Sequence, residues 1–308
     1  MAWSGLNVHR SARGGVITIG NFDGVHQGHQ AMLAEVVRRA RERSSPAVAV
    51  TFDPHPINVL KPEVYLPRLT TIETRSELLK KSGIDEVVVL PVNNELLSMA
   101  PQEFFSEVIL EELQAVGIVE GPDFRFGHNR AGDTVFLAAE CEKHGVHLTV
   151  FPAVLTDGAM ISSTRIRRLL SSGQVADAVG LLGHSYALTG TVEQGAGRGR
   201  QLGFPTANLS NVSECLPANA VYAGECSLDG ERYPVALNIG PNPTFGEAAQ
   251  KVECHLVGYS GDLYECRLCV RLLSEVRPIR SFDSLDELKV QIRSDVDKCV
   301  DCCRNFRA

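Results

Sequence analysis

Long hydrophobic runs are absent from this sequence. Apolar stretches such as residues 87–90 are typical of those present, and they fall far short of the roughly 18 residues that a membrane-spanning helix needs. The first ten residues likewise contain no apolar segment of the kind found in signal peptides. We therefore expect a cytoplasmic protein without a membrane partner.

An excess of basic residues is also absent. Lys and Arg number 30 against 37 Asp and Glu, which gives a formal net charge of −7. Sequence-independent binding of nucleic acid uses a polybasic surface, so we expect no nucleic-acid partner. A local basic pocket for a phosphorylated small molecule is compatible with this balance, and we expect small-molecule partners.

Low-complexity tracts and internal repeats are missing, and hydrophobic residues make up 44% of the 308. Such a chain can bury a core, which excludes an intrinsically disordered protein, and its length suits two domains of ordinary size. The nine cysteines are an odd number, which does not suggest a disulfide framework. In a cytoplasmic protein we expect them to be reduced thiols.

Two Cys-x-x-Cys pairs raise the question of zinc: Cys266 with Cys269, and Cys299 with Cys302. The two pairs lie too far apart for the usual zinc ribbon, and residues three apart on a strand face opposite sides. We therefore expect buried cysteines and exposed thiols in the C-terminal tail, without zinc.

Up to residue 183, short β-branched runs alternate with helical patterns. Buried strands are predicted over residues 16–19, 47–52, 86–90, 115–119 and 147–151. A helix is predicted from the spacing of Leu33, Val36, Val37 and Ala40, and further helices over residues 74–81, 101–112 and 134–144. Strands separated by helices form a parallel sheet, and ligands bind at the carboxyl edge of such a sheet.

From Tyr186 the pattern changes to period-two strands and turn residues, which predicts an antiparallel sheet or small barrel. The predicted strands cover residues 187–193, 221–228, 233–238, 252–259 and 264–273. A helix follows, and the residues spaced to pack on the barrel are Leu285, Leu288, Ile292 and Val296. The change of period predicts two domains, residues 1–183 and 184–308.

The first candidate site is the segment GNFDGVHQGHQ, residues 20–30, which leads into a helix expected to begin near His29. His26 and His29 are three apart and would face the same side of the first turn. Backbone N–H groups and the helix dipole attract an anion there, so two imidazole donors could stabilise charge on a transferring phosphorus. A turn without function and a zinc pair are the alternatives, and no third ligand follows at metalloprotease spacing.

A second phosphate-binding element is predicted at SSTRIR, residues 162–167. Ser162 or Ser163 can cap the following helix, while Thr164 and Arg165 add a hydroxyl and a guanidinium. Taken alone, this pattern is equally that of a capped basic helix. Two further polar segments follow strands, TFDPHP and GPDFRFG, whose phenylalanines could equally be core residues.

The strongest feature after residue 183 is the run GAGRGRQLGFPTANL. It is neither a Walker A motif nor the dinucleotide fingerprint. Its glycines predict a loop whose N–H groups can hold phosphate; those singled out are Gly197, Gly199 and Gly203. In an extended segment Thr206 and Asn208 face the same side, where two neutral oxygens can complete the shell of a nucleotide-bound Mg²⁺.

A strand of the same domain offers a carboxylate. Glu253 lies between Val252 and Cys254, whose side chains face the opposite side. A strand Glu faces solvent more often than it catalyses, but phosphorylation of an alcohol needs a base. His255 shares the face of Glu253 and could position it or simply be packed.

Four segments, in order, resemble the adenylyltransferase half of bacterial bifunctional riboflavin kinase/FAD synthetases: GNFDGVHQGHQ, TFDPHP, GPDFRFGHNRAGD and SSTRIR. The resemblance implies a Rossmann-like α/β nucleotidyltransferase domain that transfers AMP from ATP to FMN, forming FAD and pyrophosphate. His26 and His29 would be catalytic and bracket the ATP phosphates. The other ATP-binding residues that it implies are Gly20, Phe22, Asp23, Asp123, Ser163, Thr164 and Arg165. Asp123 stands where the family often has Asn.

Five later segments resemble the riboflavin kinase half of the same family: LGFPTANL, LPANAVYAG, NIGPNPTFG, VECHL and SFDSLDEL. The resemblance implies an antiparallel six-stranded β-barrel, ending in a helix, that phosphorylates riboflavin to FMN with ATP and Mg²⁺. Thr206 and Asn208 would bind the Mg²⁺ and its ATP, together with the glycine-rich loop. Glu253 would be the base that deprotonates the ribityl 5′-hydroxyl.

Three residues depart from the kinase pattern. Ala220 and Glu265 replace glycines, which we expect to stiffen or shift turns near the flavin site. Ile279 replaces an acid, which we expect to remove an ion pair with Arg277. The alternatives are retention of only one activity, another nucleotidyltransferase with the same histidine motif, including a relative of aminoacyl-tRNA synthetases, and a non-enzymatic flavin-binding module.

Overall fold

The computed structural model describes residues 8–195 and 197–307. The first seven residues, where no signal peptide is expected, and Ala196 of the glycine-rich run lie outside the described residues. Two compact units are present. Residues 8–66 and 72–162 belong to the first, and residues 67–71 belong with the part of the chain from 163 onward to the second.

The first unit contains the predicted parallel sheet. Its strands are β1 (Val16–Ile19), β2 (Ala47–Asp53), β3 (Glu86–Pro91), β4 (Gly117–Glu120) and β5 (His147–Val150). They lie in the order β3-β2-β1-β4-β5, and every neighbouring pair is parallel. The direction of winding reverses between β1 and β4, and the crevice at the carboxyl ends of such strands is where ligands bind in open α/β sheets.

Helices cover both faces of this sheet. They are α1 (Gln27–Glu42), α2 (Pro56–Leu60), α3 (Ile72–Lys81), α4 (Asn94–Ser98), α5 (Pro101–Glu103), which continues as a π-helix (Phe104–Glu112), and α6 (Thr134–His144). Short 3₁₀ turns span Arg10–Ala12 and His128–Arg130, and β6 (Leu155–Thr156) pairs with β7 (Ala159–Met160). The helices predicted over residues 74–81, 101–112 and 134–144 are therefore present. Most of the one over residues 101–112 is a π-helix.

Burial differs between the centre and the edges of the sheet. All four residues of β1 are buried, whereas β3 and β5 are only partly buried. The prediction of five buried strands was wrong for these two, because an edge strand has a neighbour on one side only. Val89 of β3 and Val150 of β5 are accordingly exposed.

The second unit contains a closed antiparallel barrel of six strands, as the resemblance implied. The strands are β8 (Ala187–Glu193), β9 (Ala207–Ser210), β10 (Ala220–Leu228), β11 (Glu231–Asn242), β12 (Glu247–Leu256) and β13 (Arg267–Pro278), in the order β10-β11-β12-β9-β8-β13. The helices of this unit are α7 (Ser163–Ser171), α8 (Val175–Leu182), α9 (Arg198–Leu202) and α10 (Leu285–Arg307), with a 3₁₀ turn at Pro243–Phe245.

Helix α10 packs on the outside of the barrel. Leu288 is buried, but Leu285, expected on the same wall, is 52% exposed because it is the first residue of the helix. The thiols expected to be exposed in this tail include two buried ones: Cys303 Sγ donates to Gly224 O at 3.2 Å, and Cys299 Sγ to Tyr222 O at 3.8 Å. Burial raises the pKa of Cys299 to about 12, so these thiols act as packed side chains.

The described residues contain no helix that is both long enough and apolar enough to cross a membrane.

The packing of α1 gives a test of the first unit. Leu33 is fully buried in a core cluster beneath the sheet. Leu33→Ala should lower the free energy of unfolding by about 2–5 kcal/mol, since truncation leaves a cavity. Leu60→Ala removes the same atoms from a side chain that is 61% exposed and should stay within about 0.5 kcal/mol of wild type. Urea denaturation followed by circular dichroism measures both, and equal losses would contradict the assigned core.

Candidate active sites

The loop between β1 and α1 has an unusual backbone. Phe22, Gly24 and Val25 have φ values of 45°, 84° and 37°, and the left-handed region is costly for a β-branched residue such as Val25. Phe22 and Val25 are nevertheless buried, each 1% exposed, so their packing holds the loop in this shape. The Phe22 ring lies over Gly20, where an added Cβ would meet it at 3.2 Å.

The two motif histidines lie against each other at the end of this loop. Helix α1 begins at Gln27, two residues before the expected start, with His26 as its N-cap. His26 Nδ1 accepts from the His29 backbone N–H at 3.2 Å. The two rings stack with centroids 3.6 Å apart, and the Phe22 ring stands edge-on to His29 at 5.1 Å. Because His26 Nδ1 is an acceptor, the proton of the neutral ring lies on Nε2.

Electrostatics keep the second histidine neutral. Burial, the His26 ring and the Arg75 guanidinium together lower the pKa of His29 well below its usual value. A neutral imidazole still has one N–H to donate. The pair can therefore donate hydrogen bonds to phosphate oxygens at neutral pH without His29 carrying a charge.

Arg75 of α3 was not predicted from the sequence as a residue of this site. It is buried, and its Nη2 lies 3.4 Å from Asp23 Oδ1, while Nη1 donates to Thr51 Oγ1 at 3.2 Å and to Phe52 O at 3.1 Å. One guanidinium thus connects the loop after β1 with the end of β2. The available signal was its spacing, since Arg75 and Leu79 are the buried i, i+4 pair of α3.

The structural role of Glu120 was also not predicted from the sequence. It ends β4, is 2% exposed, and its Oε1 accepts from the backbone N–H of Ile19 at 2.6 Å. Backbone pairing of β1 with β4 ends at Ile17 and Ile118. Where the strands separate, the Glu120 carboxyl therefore accepts the hydrogen bond of the Ile19 N–H in place of a backbone carbonyl. Burial raises the pKa of this carboxyl well above its usual range.

The remaining residues predicted for this site lie on two segments. Asp123 is exposed on the loop after β4. Ser163, Thr164 and Arg165 form the first turn of α7 in the second unit, with Thr164 exposed. The phenylalanines whose role was open belong to the core: Phe126 is buried, and Phe52 and Phe124 pack against the same cluster.

The barrel places the second set of candidates in one row. Strand register pairs Glu253 of β12 with Asn208 of β9 on one side and with Asn238 of β11 on the other. Val252 and Cys254, next to Glu253, are buried, whereas Glu253 is half-buried. The carboxylate therefore stands on the outer face of the barrel between two amide side chains.

This row lines a cavity. Its wall is built by the barrel, by the end of the glycine-rich run and by α10; the lining side chains include Thr206, Asn208, Val221, Asn238, Asn242, Glu253, Leu288 and Ile292. Both polar and apolar side chains line it. Such a cavity suits a ligand that has an aromatic body and a phosphorylated or hydroxylated arm.

His255 does not position Glu253. Its Nδ1 donates to Pro205 O at 2.8 Å, and its ring stands edge-on to Phe204 at 5.7 Å. Glu253 instead accepts from Asn242, whose Nδ2 lies 3.0 Å from Glu253 Oε2. Sequence reasoning missed Asn242 because it lies eleven residues away on another strand.

The glycine-rich run is partly helical, where a loop was predicted. Arg198–Leu202 forms α9, with Gly197 (φ 69°) and Gly203 (φ 87°) as its flanking residues. A Cβ on Gly199 would meet Phe204 O at 2.4 Å and Thr206 Oγ1 at 2.9 Å. Glycine at this position thus lets the run fold directly against the Thr206 side chain.

The three departures have different structural outcomes. Ala220 is buried at the start of β10, and Glu265 has φ 63°, a conformation that glycine adopts without strain. Ile279 carries no charge for Arg277, and Arg277 pairs instead with an acid of α10, with its Nε 2.9 Å from Asp295 Oδ2. An acid from the helix therefore neutralises Arg277, while Ile279 lines the cavity.

The cysteines are all free thiols. Among the described residues, no group of three or more His, Cys, Asp or Glu side chains is arranged to hold a metal ion.

Comparison with known proteins matches two family models to the chain, one for each half. The family model of FAD synthetase matches residues 8–165, and that of riboflavin kinase matches residues 182–303. The chain belongs to the bifunctional riboflavin kinase/FMN adenylyltransferase family. A relative of that name from Escherichia coli K12 is 36% identical over 283 residues, covering 92% of this chain and 90% of the relative. One from Pseudomonas fluorescens is 36% identical over 291 residues, covering 94% and 93%.

A solved structure shares the architecture of this family member. The crystal structure titled as a macrolide-efflux protein from Streptococcus pneumoniae superposes with a TM-score of 0.82 at 30% identity. The match covers 92% of this chain and 93% of that one.

The environment of His29 predicts a pH dependence. Because the pKa of His29 is lowered by folding, the unfolded chain binds a proton that the folded chain does not once the pH falls below about 6.5. The free energy of unfolding should therefore decrease on acidification, by up to about 1.4 kcal/mol per pH unit from this group. His29→Gln should flatten that dependence between about pH 7 and 5.

Urea denaturation across this pH range measures the effect, with His147→Gln, an exposed histidine of β5, as the control that should keep the wild-type slope. A His29 ring that protonates near pH 6.5 in a ¹³C-histidine NMR titration would contradict the prediction.

Proposed function

We propose that this chain makes FAD from riboflavin in two ATP-dependent steps. The barrel unit phosphorylates riboflavin to FMN and releases ADP; the parallel-sheet domain adenylylates FMN and releases pyrophosphate. The observation that carries the proposal is the presence of two separate clusters of polar side chains, the stacked pair of His26 and His29 and the row that contains Glu253 and Asn208. We place the boundary of the two catalytic domains between residues 183 and 184.

The adenylylation step needs no nucleophile from the protein. A phosphate oxygen of FMN attacks the α-phosphorus of ATP, a bond forms between them, and the bond to the departing pyrophosphate breaks. The N–H donors of His26 and His29 stabilise the charge that builds on the phosphate oxygens, an effect that preorganised donors provide without reorganising. The stacked geometry and the cap on α1 fix these donors before the substrate arrives.

Other residues of the first domain bind ATP in this proposal. Asp23 is oriented by Arg75 beside the histidines. Ser163, Thr164 and Arg165 offer hydroxyl groups and a guanidinium, which are groups suited to binding a triphosphate, and a guanidinium can bind phosphate through two parallel N–H···O hydrogen bonds. Gly20 and Phe22 shape the loop against which the nucleotide lies, and Asp123 meets either the ribose or a cation.

The phosphorylation step uses Glu253 as a base. The carboxylate accepts the proton of the ribityl 5′-hydroxyl while that oxygen attacks the γ-phosphorus. Gly197, Gly199 and Gly203 allow the chain to fold closely around Thr206 and the ATP phosphates. The apolar side chains of the cavity, among them Val221 and Ile292, accommodate the flavin ring.

The residues beside Glu253 fit Mg²⁺. Thr206 and Asn208 offer uncharged oxygens, the hard ligands that Mg²⁺ takes together with substrate phosphates, and both line the cavity of Glu253. When bound there, Mg²⁺ neutralises phosphate charge during transfer. We also propose a cytosolic location, which is supported by the nine free thiols that a reducing compartment maintains.

The first test separates the two activities by replacing the two histidines. Replacing both His26 and His29 with Ala removes the donors to the ATP phosphates, so FAD formation should fall by about 10²–10³-fold or more. Riboflavin should still be converted, and FMN should accumulate. Chromatographic separation of flavins over time measures both steps, with His147→Ala as a control that should behave as wild type. FAD formation at the wild-type rate would contradict the assignment of the histidines.

The second test impairs the phosphorylation step by replacing Glu253. Glu253→Gln keeps the shape of the side chain but removes the base, so riboflavin phosphorylation should slow by about 10²–10⁴-fold. FMN supplied from outside should still become FAD at the wild-type rate. Glu231→Gln, an exposed carboxylate at the start of β11, is the matched control. Normal phosphorylation by the Glu253→Gln variant would show that another group is the base.

A further inference from the structure

The two oxygens of the Glu253 carboxylate are held differently. Asn242 Nδ2 donates to Oε2 at 3.0 Å. Within the described part of the chain, no hydrogen bond reaches Oε1. Because Glu253 lines the cavity, Oε1 is the oxygen that a substrate hydroxyl can reach.

The orientation of the Asn242 amide follows from its neighbours. An ionised carboxylate only accepts hydrogen bonds, so Asn242 must turn its NH₂ group towards Glu253. Its Oδ1 then faces the other way and accepts from Asn238 Nδ2 at 3.1 Å. A flipped Asn242 amide would set two acceptors against each other at Glu253 and two donors against each other at Asn238. The two donations therefore form one directed chain from Asn238 through Asn242 to the carboxylate.

The backbone places this amide before any substrate binds. Asn242 ends β11 where the register with β12 shifts after Gly240, and an irregularity of this kind re-aims a side chain. Pro241 and Pro243 flank it. Proline has a fixed φ and disfavours the helical region for the residue before it, and Asn242 lies outside that region at φ −108° and ψ 78°. The chain therefore loses little additional freedom when Asn242 holds the carboxylate.

We propose that Asn242 is a positioning residue of the kinase reaction, which binds Glu253 Oε2 so that Oε1 accepts the proton of the substrate hydroxyl. This inference rests on the proposed function. In the step, the O–H bond of the 5′-hydroxyl breaks and its proton moves to Oε1. The hydroxyl oxygen bonds to the γ-phosphorus, the bond from that phosphorus to the β,γ-bridging oxygen breaks, and its electron pair leaves with ADP. Asn242 acts only through Glu253.

A carboxylate without this hydrogen bond can rotate about its side-chain torsions. A base must lie within hydrogen-bond distance of the proton that it removes, and a displacement of about 1 Å can cost about 100-fold in rate. Asn242→Ala removes the donor; Asn242→Asp keeps the size but replaces the donor with a second acceptor. Both should lower kcat for riboflavin phosphorylation by about 10–100-fold, while KM for riboflavin and for Mg-ATP changes by less than about threefold.

Two controls accompany these variants. Gln250→Ala truncates an exposed amide on the same strand as Glu253 and should keep the wild-type kcat. Adenylylation of added FMN by the Asn242 variants should also proceed at the wild-type rate, since that reaction uses the other domain.

A double-mutant cycle distinguishes positioning from a general structural role. In the Glu253→Gln background, the base that Asn242 holds is already gone, so adding Asn242→Ala should change kcat by less than about twofold. A structural role would lower kcat by the same factor in both backgrounds. The same flavin assay measures all four proteins of the cycle.

The outcomes separate this inference from the proposed function. Normal phosphorylation by Glu253→Gln would overturn the base assignment and the inference with it. If Glu253→Gln is slow, two results would overturn the inference alone. One is a kcat of Asn242→Ala within about twofold of wild type; the other is additive losses of kcat in the double variant. If Asn242→Ala does not fold, Asn242→Asp decides by the same criteria.

Discussion

The register of the closed barrel is the constraint on which the kinase site depends. Side chains on a strand alternate between the two faces, so a slip of one residue would turn Glu253 into the barrel and bring Cys254 out. The ladder of β12 with β9 and β11 prevents this slip, because it pairs Glu253 with Asn208 and Asn238 at once. Closure of the sheet removes free edges along which strands could shift. The carboxylate and its amide neighbours are thus fixed by backbone hydrogen bonds between strands distant in sequence.

The adenylyltransferase site depends on a different feature, the separation of two parallel strands. β1 and β4 stop pairing after two residues each, and the Glu120 carboxyl takes over the N–H of Ile19 at that point. The loop that follows β1 is then free to adopt a strained path, and its end becomes the cap of α1. His26 performs two tasks there, since the nitrogen that caps the helix also fixes which nitrogen carries the proton.

Much of this could be predicted from the sequence because the signals are local. Alternation of β-branched runs with helical spacing predicted the parallel sheet, and the change to period two predicted an antiparallel sheet or small barrel. His26 and His29 were expected to lie together from their spacing of three. Residues that act through distant neighbours could not be found this way. Arg75 reaches Asp23 across 52 positions, and Asn242 reaches Glu253 only because two strands pair.

The errors have physical causes as well. Edge strands were expected to be buried because a hydrophobic run does not show whether a strand has one neighbour or two. The thiols of α10 were expected to be exposed because they lie near the chain end, but the helix packs them onto β10. The partner that Arg277 does have, Asp295, was not predicted because it lies 18 residues away on the helix.

The central claim is that two independent nucleotide sites in one chain carry out consecutive steps on the same flavin. The most direct measurement is a time course of purified protein with riboflavin, ATP and Mg²⁺, with the flavins separated at each point. The account predicts that FMN appears first and that FAD follows as FMN is consumed. Unchanged riboflavin, or FMN that never becomes FAD, would contradict it.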